Sequence, residues 1–162
     1  MDLQKLINEI KLCAQNDCYT VALLSALALP DLCGQAEYPE LRGEKHAGER
    51  YKKWYQEYLG QYEDSGEGMP YPSADVVYDL RCSLMHSLIP EVKTEKRNLA
   101  DFKLAVDGSW MNGGLAFRGS NGNRGLTINA KNLIWKLCRV ASYYYKDNKD
   151  KFDFLSNVEI AY

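Results

Sequence analysis

Tyr78 to Leu88, YDLRCSLMHSL, is the stretch on which the reading of this chain turns. It places Arg81 and His86 on one predicted helix with four residues between them. Positions five apart on a helix are turned by about 140° and stand about 7.5 Å apart along the axis. The two side chains therefore do not share one narrow stripe. A long arginine still reaches toward the same cleft, and a second copy of the helix brings its own pair opposite. Histidine exchanges protons near neutrality, and the planar arginine fork fits phosphate. The pairing points to phosphodiester chemistry on RNA. Cys82 lies four residues before His86 and shares its face. Asp75 and Asp79 extend that stripe backward, and Ser83 stands beside it. Val76, Val77, Leu80, Leu84 and Leu88 form the apolar side expected to meet a core. Ser73 is a good N-cap, and Pro90 stops the helix after about Leu88.

Outward from this helix the pattern is mostly helical. Leu3, Leu6, Ile7, Ile10 and Cys13 fall on one face, which predicts a helix from Leu3 to about Ala14 with Asp2 as its cap. Asn16-Asp17 is expected to break or bend it. A second helix is expected from about Cys18 to Ala28, or on to Gln35, with Pro30 kinking it or starting a new turn at Asp31. Its run VALLSALAL is apolar nearly all round, which predicts a central buried helix. Tyr38 to Glu49 reads as a polar connection, Glu49 to about Tyr62 as a third helix, and Asp64 to Pro72 as a Gly/Pro loop. After the motif helix the texture changes. Phe102–Val106 and Gly125–Asn129 read as strands, with Leu115–Arg118 as a further short one, between the turn signals Asp107-Gly108, Asn112-Gly113-Gly114 and Gly119 to Gly122. A last long helix is expected from Ala130 to about Lys146, and another helical turn or two around Phe152 to Val158. The expectation is one mostly α domain over residues 1–162, a helical bundle with a small β-hairpin inserted at about 102–129.

The chain has 162 residues, enough for one domain with a real core. Its net charge of −2 gives no global positive field, so contact with nucleic acid has to be local. The longest apolar run, Val21 to Pro30, is too short for a bilayer span, and MDLQKL lacks a basic region before an apolar stretch. A cytoplasmic protein with no membrane partner is expected. The five cysteines are odd in number and irregularly spaced, which fits reduced thiols. With His46 and His86 the only histidines, a zinc site has little support, and neither metal nor cofactor is expected.

Arg-x-x-x-x-His late in a helix of a small bundle resembles the HEPN superfamily. DLCGQAEYP, RYKKWYQEYL and VYDLRCSLMHS resemble uncharacterised bacterial proteins carrying that helix, over roughly Cys18 to Leu88. Many superfamily members are metal-independent ribonucleases of toxin–antitoxin, antiviral and RNA-processing systems. The resemblance implies a homodimer whose motif helices face one another, with RNA as substrate and an antitoxin or other protein as a further partner. His86 would take the proton of a ribose 2′-hydroxyl, or position the substrate. Arg81 would stabilise charge on the phosphoryl oxygens. Cys82, Asp79 and Ser83 are the supporting residues. Two departures stand out. Cys82 occupies the place after the arginine where such nucleases often carry Asn, Asp or His. Leu88 stands where some toxins of the group carry a tyrosine that a partner nucleotidyltransferase modifies. A non-catalytic module that dimerises or docks a protein through the same helix is the alternative, with Arg81 paired to the neighbours of Asp79 or to Glu37 and His86 capping the helix end.

Other segments read more plainly. Lys52 and Lys53 in RYKKWYQEY lie among aromatics at core spacing, so the stretch reads as an amphipathic helix whose lysines are candidate RNA or partner contacts. GSNGNRG, Gly119 to Gly125, lacks the Lys-Ser/Thr of a phosphate loop and reads as a hairpin tip. Arg118 and Arg124 flank it as further candidate contacts. Lys131, Lys136, Arg139, Lys146, Lys149 and Lys151, set against Asp147, Asp150 and Asp153, read as a solvated face. His46 reads as a solvent-facing loop residue. Serine hydrolysis at Ser83 or Ser87 is excluded because no acid is placed to orient His86.

Overall fold

Asp2 opens the first helix, as its carboxylate accepts a hydrogen bond of 2.7 Å from the Gln4 N–H. The computed structural model describes residues 2–60, 72–93, 101–106, 114–118 and 124–155. Helix α1 spans Leu3–Gln15, and Asp17, with φ 60°, turns the chain out of it. Helix α2 (Tyr19–Ala26) and helix α3 (Leu29–Glu37) are separate, with Pro30 in the first turn of α3 where its missing N–H costs nothing. Helix α2 is not the fully buried element its composition predicts. Ala22, Leu23 and Ala26 face the core while Val21 is 56% exposed. Helix α4 spans Ala47–Tyr58, starting two residues earlier than expected. Helix α5 (Ala74–Ser87) is the motif helix, and helix α6 (Ala130–Asp147) is the last long one. Most of the Asp64–Pro72 loop, the hairpin turns and the tail beyond Leu155 lie outside the described residues.

The helices pack in the order α5, α4, α3, α6, α1, with α2 laid against α1 and α6. One hydrophobic cluster joins them, from Leu3 and Ile7 of α1 to Phe152 and Leu155 after α6. Its largest fully buried members are Trp54, Tyr51 and Tyr55 of α4. The Trp54 ring stacks on Tyr58 at 5.1 Å and meets the edge of Tyr144 at 5.6 Å. Such pairs contribute about 0.5–1.5 kcal/mol each beyond their burial.

Two close approaches set the helix spacing. A Cβ on Gly34 would stand 3.0 Å from the Arg50 carbonyl oxygen, so α3 and α4 touch through backbone. A Cβ on Gly48 would stand 3.0 Å from the Tyr78 ring, where α4 meets α5. The expected polar connection carries two short 3-10 turns, Pro39–Leu41 and Glu44–His46. Arg50 ties it down. This buried guanidinium pairs with Asp31 at 2.9 Å and donates to the carbonyls of Leu41 (2.8 Å) and Gly43 (2.7 Å).

Before α6 stand three strands, β1 (Asp101–Ala105), β2 (Gly114–Arg118) and β3 (Arg124–Asn129). The expected hairpin is formed by β2 and β3, which pair antiparallel. Strand β1 adds to the other edge of β3 in parallel, giving the order β1-β3-β2. Leu126 and Ile128 of β3 alternate into the core. Asn129 ends the strand and caps α6, accepting from the Asn132 N–H at 3.0 Å. No described helix is long and apolar enough to cross a membrane.

Candidate functional site at the end of helix α5

Ser73 starts α5 by accepting from the Val76 N–H at 3.4 Å. Val76, Val77, Leu80 and Leu84 then point inward, which leaves Asp79, Cys82 and His86 on the outer side. The helix ends at Leu88, which takes the left-handed conformation (φ 58°) usually given to glycine. Two serines hold this turn. Ser83 Oγ donates to the Ile89 carbonyl and accepts from the Glu91 N–H at 3.1 Å. Ser87 Oγ donates to the Ser83 carbonyl at 2.9 Å and accepts from the Ile89 N–H at 3.3 Å. The chain is thereby folded back along α5 until Val92 is buried.

Between α5 and this returning segment lies an open cavity of about 460 Å³. Asp79, Cys82, Ser83 and His86 line it, together with Tyr78 and Lys93. The candidate histidine and its three supporting residues therefore meet at one cavity. Ser83 is engaged in closing the helix. His86 is exposed, and its ring makes no hydrogen bond among the described residues. It does not cap the helix end, because Ser83, Ser87 and the Leu88 N–H to Leu84 carbonyl bond (3.1 Å) do so.

Arg81 is not part of that lining. It turns toward α4, where its guanidinium lies 5.9 Å from the ring centroids of both Tyr51 and Tyr78. Among the described residues its buried Nε has no hydrogen-bond partner, and neither does the Tyr51 hydroxyl. Burial pushes the Tyr51 phenol well up, with the Arg81 charge opposing it. Burial and a hydrogen bond with the neighbouring Cys82 thiol also push the Tyr78 phenol up. Both rings stay neutral and present π faces to the cation. The pairing of Arg81 with Glu37 does not occur. Glu37 accepts instead from Tyr144 and Lys151, each at 2.6 Å.

Three large apolar side chains near this end of α5 are exposed. Met85, Leu88 and Ile89 are 55%, 67% and 54% exposed. Lys52 pairs with Asp75 at 2.8 Å across the α4–α5 seam and lies 5.2 Å from the Tyr78 ring. Lys53 lies 4.0 Å over Tyr38. Arg118 and Arg124 stand opposite each other in the β2–β3 register, at the end of the hairpin nearest its turn. His46 pairs with Glu49 at 3.1 Å. Among the described residues no group of three His, Cys, Asp or Glu is placed to hold a metal ion.

Two features of the site escape sequence reasoning. The tyrosine pair around Arg81 was half legible, since Tyr78 precedes Arg81 by three residues, but Tyr51 reaches it only through helix packing. The second wall of the cavity comes from Glu91, Val92 and Lys93, which no periodicity marks. No family model matches this chain, and no curated protein or solved structure matches it.

Proposed function

We propose that this protein is a HEPN-like, metal-independent endoribonuclease that works as a homodimer in a bacterial toxin–antitoxin or defence setting. The observation that carries the reading is the outer end of α5, where an exposed His86 lines an open cavity beside Met85, Leu88 and Ile89. Three large apolar side chains held in water favour a partner surface there. A second copy of α5 covering them brings a second His86 to the same cleft. Arg81, 5.9 Å from the Tyr51 and Tyr78 ring centroids and with its buried Nε unpartnered among the described residues, is the cation this reading assigns to the phosphate.

In the proposed reaction His86 takes the proton of a ribose 2′-hydroxyl, and the 2′-oxygen attacks the adjacent phosphorus. The P–O5′ bond breaks, and the protonated His86 of the partner subunit gives its proton to the leaving 5′-oxygen. Arg81 neutralises charge on the non-bridging oxygens. The products are a 2′,3′-cyclic phosphate and a 5′-hydroxyl.

The test is RNA cleavage in the presence of a chelator, with growth arrest on expression as a second readout. Native protein yields cyclic-phosphate ends, and His86→Ala and Arg81→Ala lower the rate at least about a hundredfold. Equal cleavage by all three proteins removes the catalytic assignment. Absence of cleavage by the folded native chain favours the second reading, a docking module that uses the same apolar side chains to bind a protein.

A further inference from the structure

Helix α6 carries a second surface that the α5 site does not use. Lys131, Trp135, Arg139 and Tyr143 follow one another at four-residue spacing, so cation and ring alternate along one side of the helix. The core needs neither ring. Leu133, Ile134, Leu137, Cys138, Ala141 and Tyr144 supply the buried face of α6. Tyr143 is 65% exposed, Trp135 is half-buried, and Lys131 and Arg139 are exposed.

The tertiary fold strengthens this stripe. Helix α1 packs along α6 and brings Lys11 to the same face. Lys11, Asn132, Trp135, Lys136 and Arg139 enclose a shallow depression of about 430 Å³. On the far side of Lys136 and Arg139 a second cavity of about 380 Å³ is bounded by Tyr143 and Tyr58. Among the described residues Asp147 is the one carboxylate in either lining, at the far end of the second cavity. Trp135 and Tyr143 stand about 12 Å apart along the helix, with Arg139 between them. In a chain of net charge −2 this is a local concentration of positive charge.

Cations spaced between open ring faces fit a strand whose bases are unpaired, because phosphates sit on the cations while bases stack on the rings. A duplex hides its base faces from such rings. We infer that the α1–α6 face binds single-stranded nucleic acid, with Trp135 and Tyr143 as stacking platforms and Lys11, Lys136 and Arg139 on the phosphates. This rests on the reading of RNA as ligand and names where the strand lies. It does not require that α5 cut.

The experiment is fluorescence anisotropy with a labelled oligouridylate, titrated at several salt concentrations. Tyr143→Ala and Trp135→Ala each weaken binding about tenfold, and Trp135→Phe restores most of it. Arg139→Gln lowers the slope of log affinity against log salt by about 0.7. Tyr143 and Arg139 are exposed, so unchanged melting temperatures separate lost binding from lost fold. The inference is overturned if Tyr143→Ala and Arg139→Gln bind as tightly as native protein. It is equally overturned if a duplex of the same length or polyglutamate binds as well as the single strand, or if the native chain binds none of them. Native protein that binds through α6 without cutting ends the nuclease reading alone.

Discussion

Replacing Arg50 by methionine separates a structural arginine from a nucleic-acid contact. Its guanidinium is buried and holds the Asp31 carboxylate with two nitrogens, Nε at 2.9 Å and Nη2 at 3.3 Å. Nη1 holds the Leu41 and Gly43 carbonyls at 2.8 and 2.7 Å. Methionine keeps the stem and removes every donor. Asp31 then retains only Gln35 Nε2 at 3.2 Å among its described partners, while the carbonyls of the α3–α4 connection lose their donor. Breaking a buried, hydrogen-bonded ion pair by deleting one partner costs about 3–5 kcal/mol. For a chain of this size each kilocalorie lowers the melting temperature by about 2–4 °C, so a drop of about 6–20 °C is expected. Circular dichroism melts and urea titrations read the loss directly. The double variant Arg50→Met/Asp31→Leu removes both charges together and recovers most of it, because no buried carboxylate is left unpaired. A single variant that melts within about 2 °C of native protein, with weakened RNA binding instead, refutes the clamp and makes Arg50 a ligand contact.

Other outcomes follow from the same geometry. Gly34→Ala forces α3 away from the Arg50 backbone and costs about 1–3 kcal/mol in urea unfolding, whereas Gly43→Ala, with open space at its Cβ, changes stability little. Cys138, pushed up to about 12 by burial, and the buried Cys33, pushed up in the same way, resist alkylation at pH 8 in native protein, while the exposed Cys18 reacts; mass spectrometry of partly labelled protein checks the order. Burial pushes the Glu37 carboxyl up, but hydrogen bonds from Lys151 and Tyr144 outweigh it and hold the group below its ordinary 4.5. Its stabilising contribution is therefore full above that value and lost as pH falls through the lower folded value, so Glu37→Gln flattens the acid limb of stability against pH.

Helices α1, α5 and α6 were legible because each must bury one face, and a period near 3.6 in apolar residues records that need. Their caps were legible too. Asp2 and Ser73 each offer an oxygen to an N–H two or three residues on, a contact made within a single turn. Helix α2 misled because a run such as VALLSALAL carries no record of which side meets neighbours. Packing on α1 and α6 left Val21 outside. The strands were visible as segments, but the parallel pairing of β1 with β3 depends on how the intervening chain crosses over, which alternation along a strand does not encode.

The candidate site divides in the same way. Sequence by itself set Cys82 and His86 on one face and Arg81 about 140° round the helix from His86, since helical angle follows from residue spacing alone, but it left Arg81 expected to reach the same cleft. Only the tertiary structure decided that Arg81 lies against the Tyr51–Tyr78 ring pair, that Ser83 and Ser87 close the helix, and that Arg50 is a buried clamp rather than one more surface cation. Local hydrogen bonds and periodicity act over one or two turns, and the chain writes them in order. The partner of a charge or a ring comes from whichever helix packs against it, so it is fixed only when the core closes.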